Sequence, residues 1–215
     1  MLKNIVILGD SYSTYEGCIP EGYPTYYSKT GRIEGPSVSK MDKEETWWVR
    51  LTKETGDVIV HNNSWSGSTI CYTGYDGDCS DSSSFIYRYR QLKRDCFFER
   101  NQIDTIIVFG GTNDGWAGAP LGEMQYKDWT EKDLYNVLPA ICYLMATLKH
   151  NLPNIRIVFI ANCDIRTEII VGMKAAGEYF NVEVIELQEV EKDCGHPTVK
   201  GMEQIATQIL RKITE

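Results

Sequence analysis

Ile5-Val6-Ile7-Leu8-Gly9-Asp10-Ser11 decides how this chain is read. Four consecutive apolar residues, three of them β-branched, give a strand buried on both faces, as strands of a parallel sheet between helix layers are. The strand stops at Gly9, which permits a sharp turn, and a serine follows two residues later. A hydroxyl at such a strand end has the N–H groups of the next turn or helix beside it, and these can face an anion. Gly-Asp-Ser alone is also what an ordinary strand-end turn leaves, so its meaning depends on the rest of the chain.

Working outward, five short apolar runs read as strands, at about 3–8, 57–61, 104–109, 155–161 and 182–187. Helical patterns separate them. Residues 44–55 carry Trp47, Trp48 and Leu51 before Gly56, a stop signal. Residues 84–100 read as one helix of mixed charge. Over 131–150, Leu134, Val137, Leu138, Ile141, Leu144, Met145 and Leu148 form an apolar stripe. There, Thr130 with Asp133 suggests a capping box, and Pro139 marks either a kink or the true start. Ile169, Met173 and Ala176 predict a helix over 166–180. Met202, Ile205, Ile209 and Ile213 predict a last one, with Thr198 as N-cap.

Alternating strands and helices predict an α/β fold: a three-layer α/β/α sandwich on a five-stranded parallel sheet. The flavodoxin-like precedent predicts strand order 2-1-3-4-5. No repeat, linker or boundary divides residues 1–215, so one domain is expected, with a loop insertion at about 12–43. That insertion is rich in tyrosine (Tyr12, Tyr15, Tyr23, Tyr26, Tyr27) and contains Pro20, Pro24 and Pro36. Loops of that length in compact domains are usually functional or disordered.

Three more stretches join Ser11 at the sheet edge where parallel α/β folds bind ligands. They are Asn62-Asn63-Ser64-Trp65-Ser66-Gly67-Ser68-Thr69, Gly110-Gly111-Thr112-Asn113-Asp114 and Asp193-Cys194-Gly195-His196-Pro197. Their chemistry is coherent. A serine hydroxyl needs a base to take its proton, and His196 can be that base. Asp193 can orient the imidazole and stabilise its protonated form. The oxyanion of acyl transfer needs preplaced donors. The N–H groups of Ser11 and Gly67 and the amide of Asn113 are the candidates.

This constellation resembles the SGNH (GDSL-like) hydrolase superfamily, and the resemblance covers nearly the whole chain. It implies Ser11 as nucleophile, Gly67 and Asn113 as oxyanion donors, His196 as base and Asp193 as third triad member. It also implies the strand order given above. The long polar segment after Ser11 departs from the family's usual quick passage into a helix, so substrate class is not inherited. The chain lacks Gly-x-Ser-x-Gly, the elbow of the competing α/β-hydrolase fold.

Aromatic and acidic neighbours are further candidates for substrate contact. Asp10, Tyr12, Trp65, Trp116 and Asp114 flank the motif residues, and Asp164 lies near another strand end. Rings with polar handles suit sugars or acyl groups, although they equally pack loops onto a sheet. Helix capping would account for the aspartates as well.

Composition narrows the partners. With 22 basic and 30 acidic residues the net charge is −8, which argues against nucleic acid and anionic membranes as partners. No run approaches a membrane span. No secretory signal is evident, so a cytoplasmic location is expected, or an exported one if a leader has been removed. The seven cysteines form no Cys-x-x-Cys pair and suit reduced thiols, with Cys71 and Cys79 able to bridge a loop in an exported protein. Cys194, between Asp193 and His196, reads as a small turn residue. Three dispersed histidines do not suggest a metal site, and no cofactor is expected. A nucleotide-binding flavodoxin-like protein would need a glycine-rich phosphate loop, which the first turn lacks.

The expected function is a serine esterase acting on a small ester, such as an O-acetylated carbohydrate, through an acyl-enzyme. The alternatives are a lipase or acylhydrolase on a lipid or thioester, and a non-catalytic carbohydrate-binding protein on the same scaffold.

Overall fold

The computed structural model describes residues 2–31 and 40–214. In chain order its strands are β1 (Asn4–Gly9), β2 (Val58–Ser64), β3 (Thr73–Gly74), β4 (Gly77–Asp78), β5 (Thr105–Phe109), β6 (Arg156–Ala161), β7 (Glu183–Glu186), β8 (Lys192–Asp193) and β9 (His196–Pro197). Its α-helices are α1 (Trp47–Thr55), α2 (Phe85–Arg94), α3 (Phe97–Arg100), α4 (Thr112–Trp116), α5 (Val137–Asn151), α6 (Thr167–Phe180) and α7 (Val199–Thr214). Five strands form one parallel sheet in the order β2-β1-β5-β6-β7, with β3–β4 and β8–β9 as separate antiparallel hairpins. Counting the sheet strands alone, this is the expected 2-1-3-4-5.

The two-residue period of a strand sorts side chains to opposite faces. Ile5 and Ile7 of β1, Ile107 and Phe109 of β5, and Val158 and Ile160 of β6 face α1 and α7, where Trp47, Leu51, Met202, Ile205 and Ile209 complete that core. Val6, Leu8, Ile106, Val108 and Phe159 face the other way, onto Phe85, Ile141, Leu144, Met173 and their neighbours. Burying each such side chain contributes about 1.5–3 kcal/mol, so both layers hold the strand ends that carry the motifs. Among the described residues no helix is long and apolar enough to cross a membrane.

Three helix expectations need correction. Residues 84–100 are two helices, because α2 ends at Arg94 and Cys96 turns left-handed at φ 53° before α3. The expected helix over 131–150 starts late. Asp133 does accept from the Thr130 N–H at 2.7 Å, but only a 3₁₀ turn follows, and α5 begins at Val137. Pro139 is its third residue, where an N–H has no helical partner to lose. A 3₁₀ turn at Lys43–Glu45 likewise precedes α1. Thr198 does cap α7, accepting from the Gly201 N–H at 3.1 Å.

The segment at 12–43 is tied down by its tyrosines. Tyr12, Tyr15 and Tyr27 are buried in the α1–α7 layer. The Tyr27 hydroxyl donates to the Pro197 carbonyl at 2.9 Å, and one isolated bridge joins Ser28 to Lys40. Residues 32–39, with Pro36, lie outside the described residues.

Candidate active site

Ser11 opens a 3₁₀ turn, Ser11–Ser13, at the carboxyl end of β1 and is 2% exposed. Asp10 caps this turn, with Oδ1 accepting from the Tyr12 N–H at 3.0 Å. Gly9 is required for a reason other than turn freedom. A Cβ there would stand 2.5 Å from Ser64 Oγ and 2.7 Å from Ser13 Cβ, so only glycine lets β2 and the serine turn close together. Asp10 is fully buried and Oδ2 has no partner among the described residues. Burial first, then the charge of Asp114, push its carboxyl up to about 7, against the pull of the Tyr12 N–H and Arg88.

His196 arrives at Ser11 from the other end of the chain. The β8–β9 hairpin turns through Cys194 (φ 46°) and Gly195 (φ 79°). Its imidazole Nε2 lies 2.9 Å from Ser11 Oγ. Nδ1 lies 3.3 Å from the carbonyl oxygen of Cys194. A carbonyl only accepts, so Nδ1 carries the proton and Nε2 is left free to accept from the serine. This differs from the expectation for Asp193. Its side chain is exposed and makes no hydrogen bond to the imidazole among the described residues. The left-handed Cys194-Gly195 turn is what brings a main-chain oxygen to Nδ1.

The imidazole is enclosed by rings. Tyr26, from the long segment after β1, stacks on it at 3.5 Å between centroids and 8° between planes. Tyr12 and Trp116 approach at 5.5 and 5.7 Å. Desolvation by these neighbours holds the His196 pKa below its ordinary 6.5, and nearby Lys192 adds to this against the Cys194 carbonyl. A base that stays neutral into mild acid is ready to take a proton.

Tyr12 is fully buried and braces the histidine turn, its hydroxyl donating to the Gly195 carbonyl at 2.5 Å. Asn162 donates to that hydroxyl at 3.2 Å, and Lys192 donates to Asn162 Oδ1 and to Asp164 Oδ2, both at 2.9 Å. Asp164, a candidate substrate ligand, is therefore half of an ion pair under the hairpin.

The middle of the chain is tied to the serine turn through Arg88, and Asn113 joins the same network at Ser68. Arg88, on α2, is fully buried. It donates to the Gly9 carbonyl (3.1 Å), Ser68 Oγ (2.9 Å), Asn63 Oδ1 (3.1 Å), the Ser83 carbonyl (2.9 Å) and the Asn63 carbonyl. One guanidinium thus ties the serine turn to the loop that carries Gly67, a glycine at φ 82°. Asn113 is 2% exposed, and its Nδ2 donates to the Ser68 carbonyl at 3.0 Å. Neither the Ser11 nor the Gly67 N–H is engaged in the loop and side-chain hydrogen bonds of the described residues. Asp114 is fully buried and holds the Ile70 and Cys71 N–H groups at 2.9 and 3.0 Å.

Asp10, Tyr12 and Asp114 are thus internal supports and do not line a substrate surface. Trp65 is half-buried and packs on Tyr23 at 4.3 Å. Trp116 stays 42% exposed beside His196. All seven cysteines are free thiols, so Cys71 and Cys79 form no bridge.

Arg88, Asn162 and Lys192 were missed by the sequence reading. For Arg88 a signal existed: it sits on the stripe Phe85, Tyr89 and Leu92, where a charge has no solvent to face. Asn162 and Lys192 offered none, because each acts through a partner distant in sequence.

With this geometry in place, comparison with known proteins is decisive. The family profile "GDSL-like Lipase/Acylhydrolase" matches residues 3–213. The chain belongs to this family. A GDSL-like lipase structure from Bacteroides ovatus is 40% identical over 100% of this chain and 99% of its own, with a TM-score of 0.88. One from Bacteroides uniformis is 41% identical over 99% and 96%, with a TM-score of 0.89. A family two carbohydrate esterase from Cellvibrio japonicus shares the fold at 16% identity, over 98% of this chain and 60% of that one, with a TM-score of 0.67. No curated protein matches the chain. Membership in the GDSL-like family makes the protein an acylhydrolase or esterase.

Proposed function

We propose that the protein is a serine esterase that works through a Ser11 acyl-enzyme, with a histidine oriented by a main-chain carbonyl. The observation that carries this reading is the 2.9 Å contact between Ser11 Oγ and His196 Nε2. As Oγ attacks the ester carbonyl, its proton passes to Nε2 and the carbonyl oxygen becomes an oxyanion. The Ser11 and Gly67 N–H groups and the second hydrogen of Asn113 Nδ2 are the donors for it. His196 returns the proton to the leaving alcohol, which departs. Water then attacks the acyl group with His196 again as base, restoring Ser11 and releasing the acid. The imidazolium formed on the way is held by the Cys194 carbonyl dipole, where a triad would place a carboxylate.

A small acyl group on a carbohydrate is the favoured substrate. Exposed Trp116 beside the base offers a ring face, and the carbohydrate esterase from Cellvibrio japonicus shares the scaffold. The test compares p-nitrophenyl acetate, butyrate and decanoate, and acetylated sugars, with the unmodified protein and Ser11→Ala. Turnover confined to short acyl groups and lost in Ser11→Ala is expected. Turnover that survives in Ser11→Ala overturns the serine mechanism, and equal rates on acetate and decanoate overturn the acyl preference.

A further inference from the structure

Tyr75 stands at the tip of the β3–β4 hairpin, in the two-residue connection Tyr75-Asp76. It is 53% exposed, yet its hydroxyl lies 3.0 Å from Asn113 Oδ1. The hairpin is firmly anchored. Asp114 holds the Ile70 and Cys71 N–H groups at its base. Thr73 Oγ1 donates to the Tyr135 carbonyl at 2.8 Å, and the Tyr135 hydroxyl donates to Asp78 Oδ2 at 2.8 Å. Neighbouring residues of α4 thus act on the same hairpin: Asp114 fixes its base, and Asn113 meets its tip.

The consequence lies in the orientation of an amide. Asn113 can serve an oxyanion only if Nδ2, not Oδ1, faces the reacting centre. The Ser68 carbonyl accepts from Nδ2 at 3.0 Å and would repel an oxygen placed there. Tyr75 completes the selection, because a phenol donates to Oδ1 and fixes the opposite edge. Nδ2 keeps one hydrogen on Ser68 and has one left over. Accepting at Oδ1 also polarises the amide and strengthens Nδ2–H as a donor. Burial and the buried Asp10 and Asp114 raise the phenol pKa, so the hydroxyl keeps its proton at neutral pH.

We propose that Tyr75 is a positioning residue of the oxyanion site, holding the Asn113 amide with its nitrogen toward the developing charge. This rests on the esterase reading and on the role of Asn113 within it. A half-exposed ring at a hairpin tip buries little apolar surface, so what its hydroxyl contributes is the contact with Asn113.

The experiment measures p-nitrophenyl acetate hydrolysis by the unmodified protein, Tyr75→Phe, Asn113→Ala, the double variant and Ser11→Ala, with thermal melts of each. Removing a complete oxyanion donor in Asn113→Ala lowers kcat by about 10²–10³. Tyr75→Phe is expected to lower kcat about tenfold, with KM within about twofold and an unchanged melt, as loss of part of that donor's effect. In the Asn113→Ala background the same substitution is expected to do nothing further, since the amide it orients is gone. A normal kcat in Tyr75→Phe overturns the proposal. So does a change confined to KM, or the same tenfold loss in both backgrounds, each of which would make Tyr75 a substrate contact. Absence of Ser11-dependent turnover in the unmodified protein fails the esterase reading itself, a result distinct from a Tyr75→Phe variant that simply keeps its rate.

Discussion

The single contact that most changes the chemistry is the one at His196 Nδ1. A carboxylate there would lose a large favourable interaction if neutralised, and replacing the acid of a Ser-His-Asp triad by its amide costs about 10⁴ in kcat. Here the acceptor is the Cys194 carbonyl at 3.3 Å. Asp193→Asn is therefore expected to keep kcat on p-nitrophenyl acetate within about threefold. A loss of a hundredfold or more would put the carboxylate back into the mechanism. The pH profile follows from the same residue. In the proposed mechanism His196 must be neutral to act, and desolvation holds its pKa below the ordinary histidine value. The acidic limb of kcat/KM is expected to have its midpoint below the ordinary histidine value; a midpoint at or above 6.5 would contradict the desolvated setting. At this scale the sequence was legible where a residue's chemistry is its own. Ser11, His196 and Asn113 were singled out by the joint pattern of four sequence blocks, and the structure brings Ser11 and His196 within 2.9 Å of each other. Asp193 was misplaced because spacing does not say whether a side chain or a carbonyl will reach a ring nitrogen. That was decided by two left-handed residues, one of them a cysteine.

At the scale of elements, the site is held by helix α2 as much as by the strand ends. Arg88 reaches from the helix to β1, to β2 and to the Gly67 loop, and no carboxylate lies in ion-pair range among the described residues. Its charge is dispersed over carbonyl and hydroxyl acceptors, and burial pushes the guanidinium down to about 9. Arg88→Ala strands those acceptors, each at about 1–3 kcal/mol. A loss of at least about 3 kcal/mol in urea denaturation is expected, and Arg88→Lys should not restore it, since an ammonium cannot span the same forked set. Stability within 1 kcal/mol of the unmodified protein would mean that the clamp is decorative. Sequence patterning placed α2 but not its end, nor the start of α5. Both boundaries depend on local backbone choices, the left-handed Cys96 and the 3₁₀ turn before Val137, which apolar periodicity does not record.

Across the whole molecule, the layered α/β architecture was readable because continuous apolar runs separated by amphipathic helices leave few ways to bury both faces, while the strand order came from the family resemblance and the flavodoxin-like precedent. What no linear pattern could show is that the sheet edge conceals charge. Asp10 and Asp114 are both fully buried, both with raised pKa values, and Arg88 is buried near them. A carboxyl raised to about 7 when folded keeps its proton longer than the unfolded chain does. The contribution of Asp10 to stability therefore falls as pH rises from the ordinary carboxylate range to about 7, then levels. Asp10→Asn removes that titration, so between pH 5 and 8 its urea midpoint is expected to rise relative to that of the unmodified protein. Parallel curves for the two would show that Asp10 does not titrate in this window.

The ring stacked on the base comes from none of the sheet strands or the helices around them. Tyr26 belongs to the connection between β1 and α1, whereas Ser11 and Asn113 follow the ends of β1 and β5. Part of the environment of the base is therefore carried by a connection that also sends Tyr12, Tyr15 and Tyr27 into the α1–α7 core. Exchanging that connection between relatives is expected to move the acidic limb of the pH profile and the melting temperature together, because the ring on the base and three core tyrosines travel in one segment.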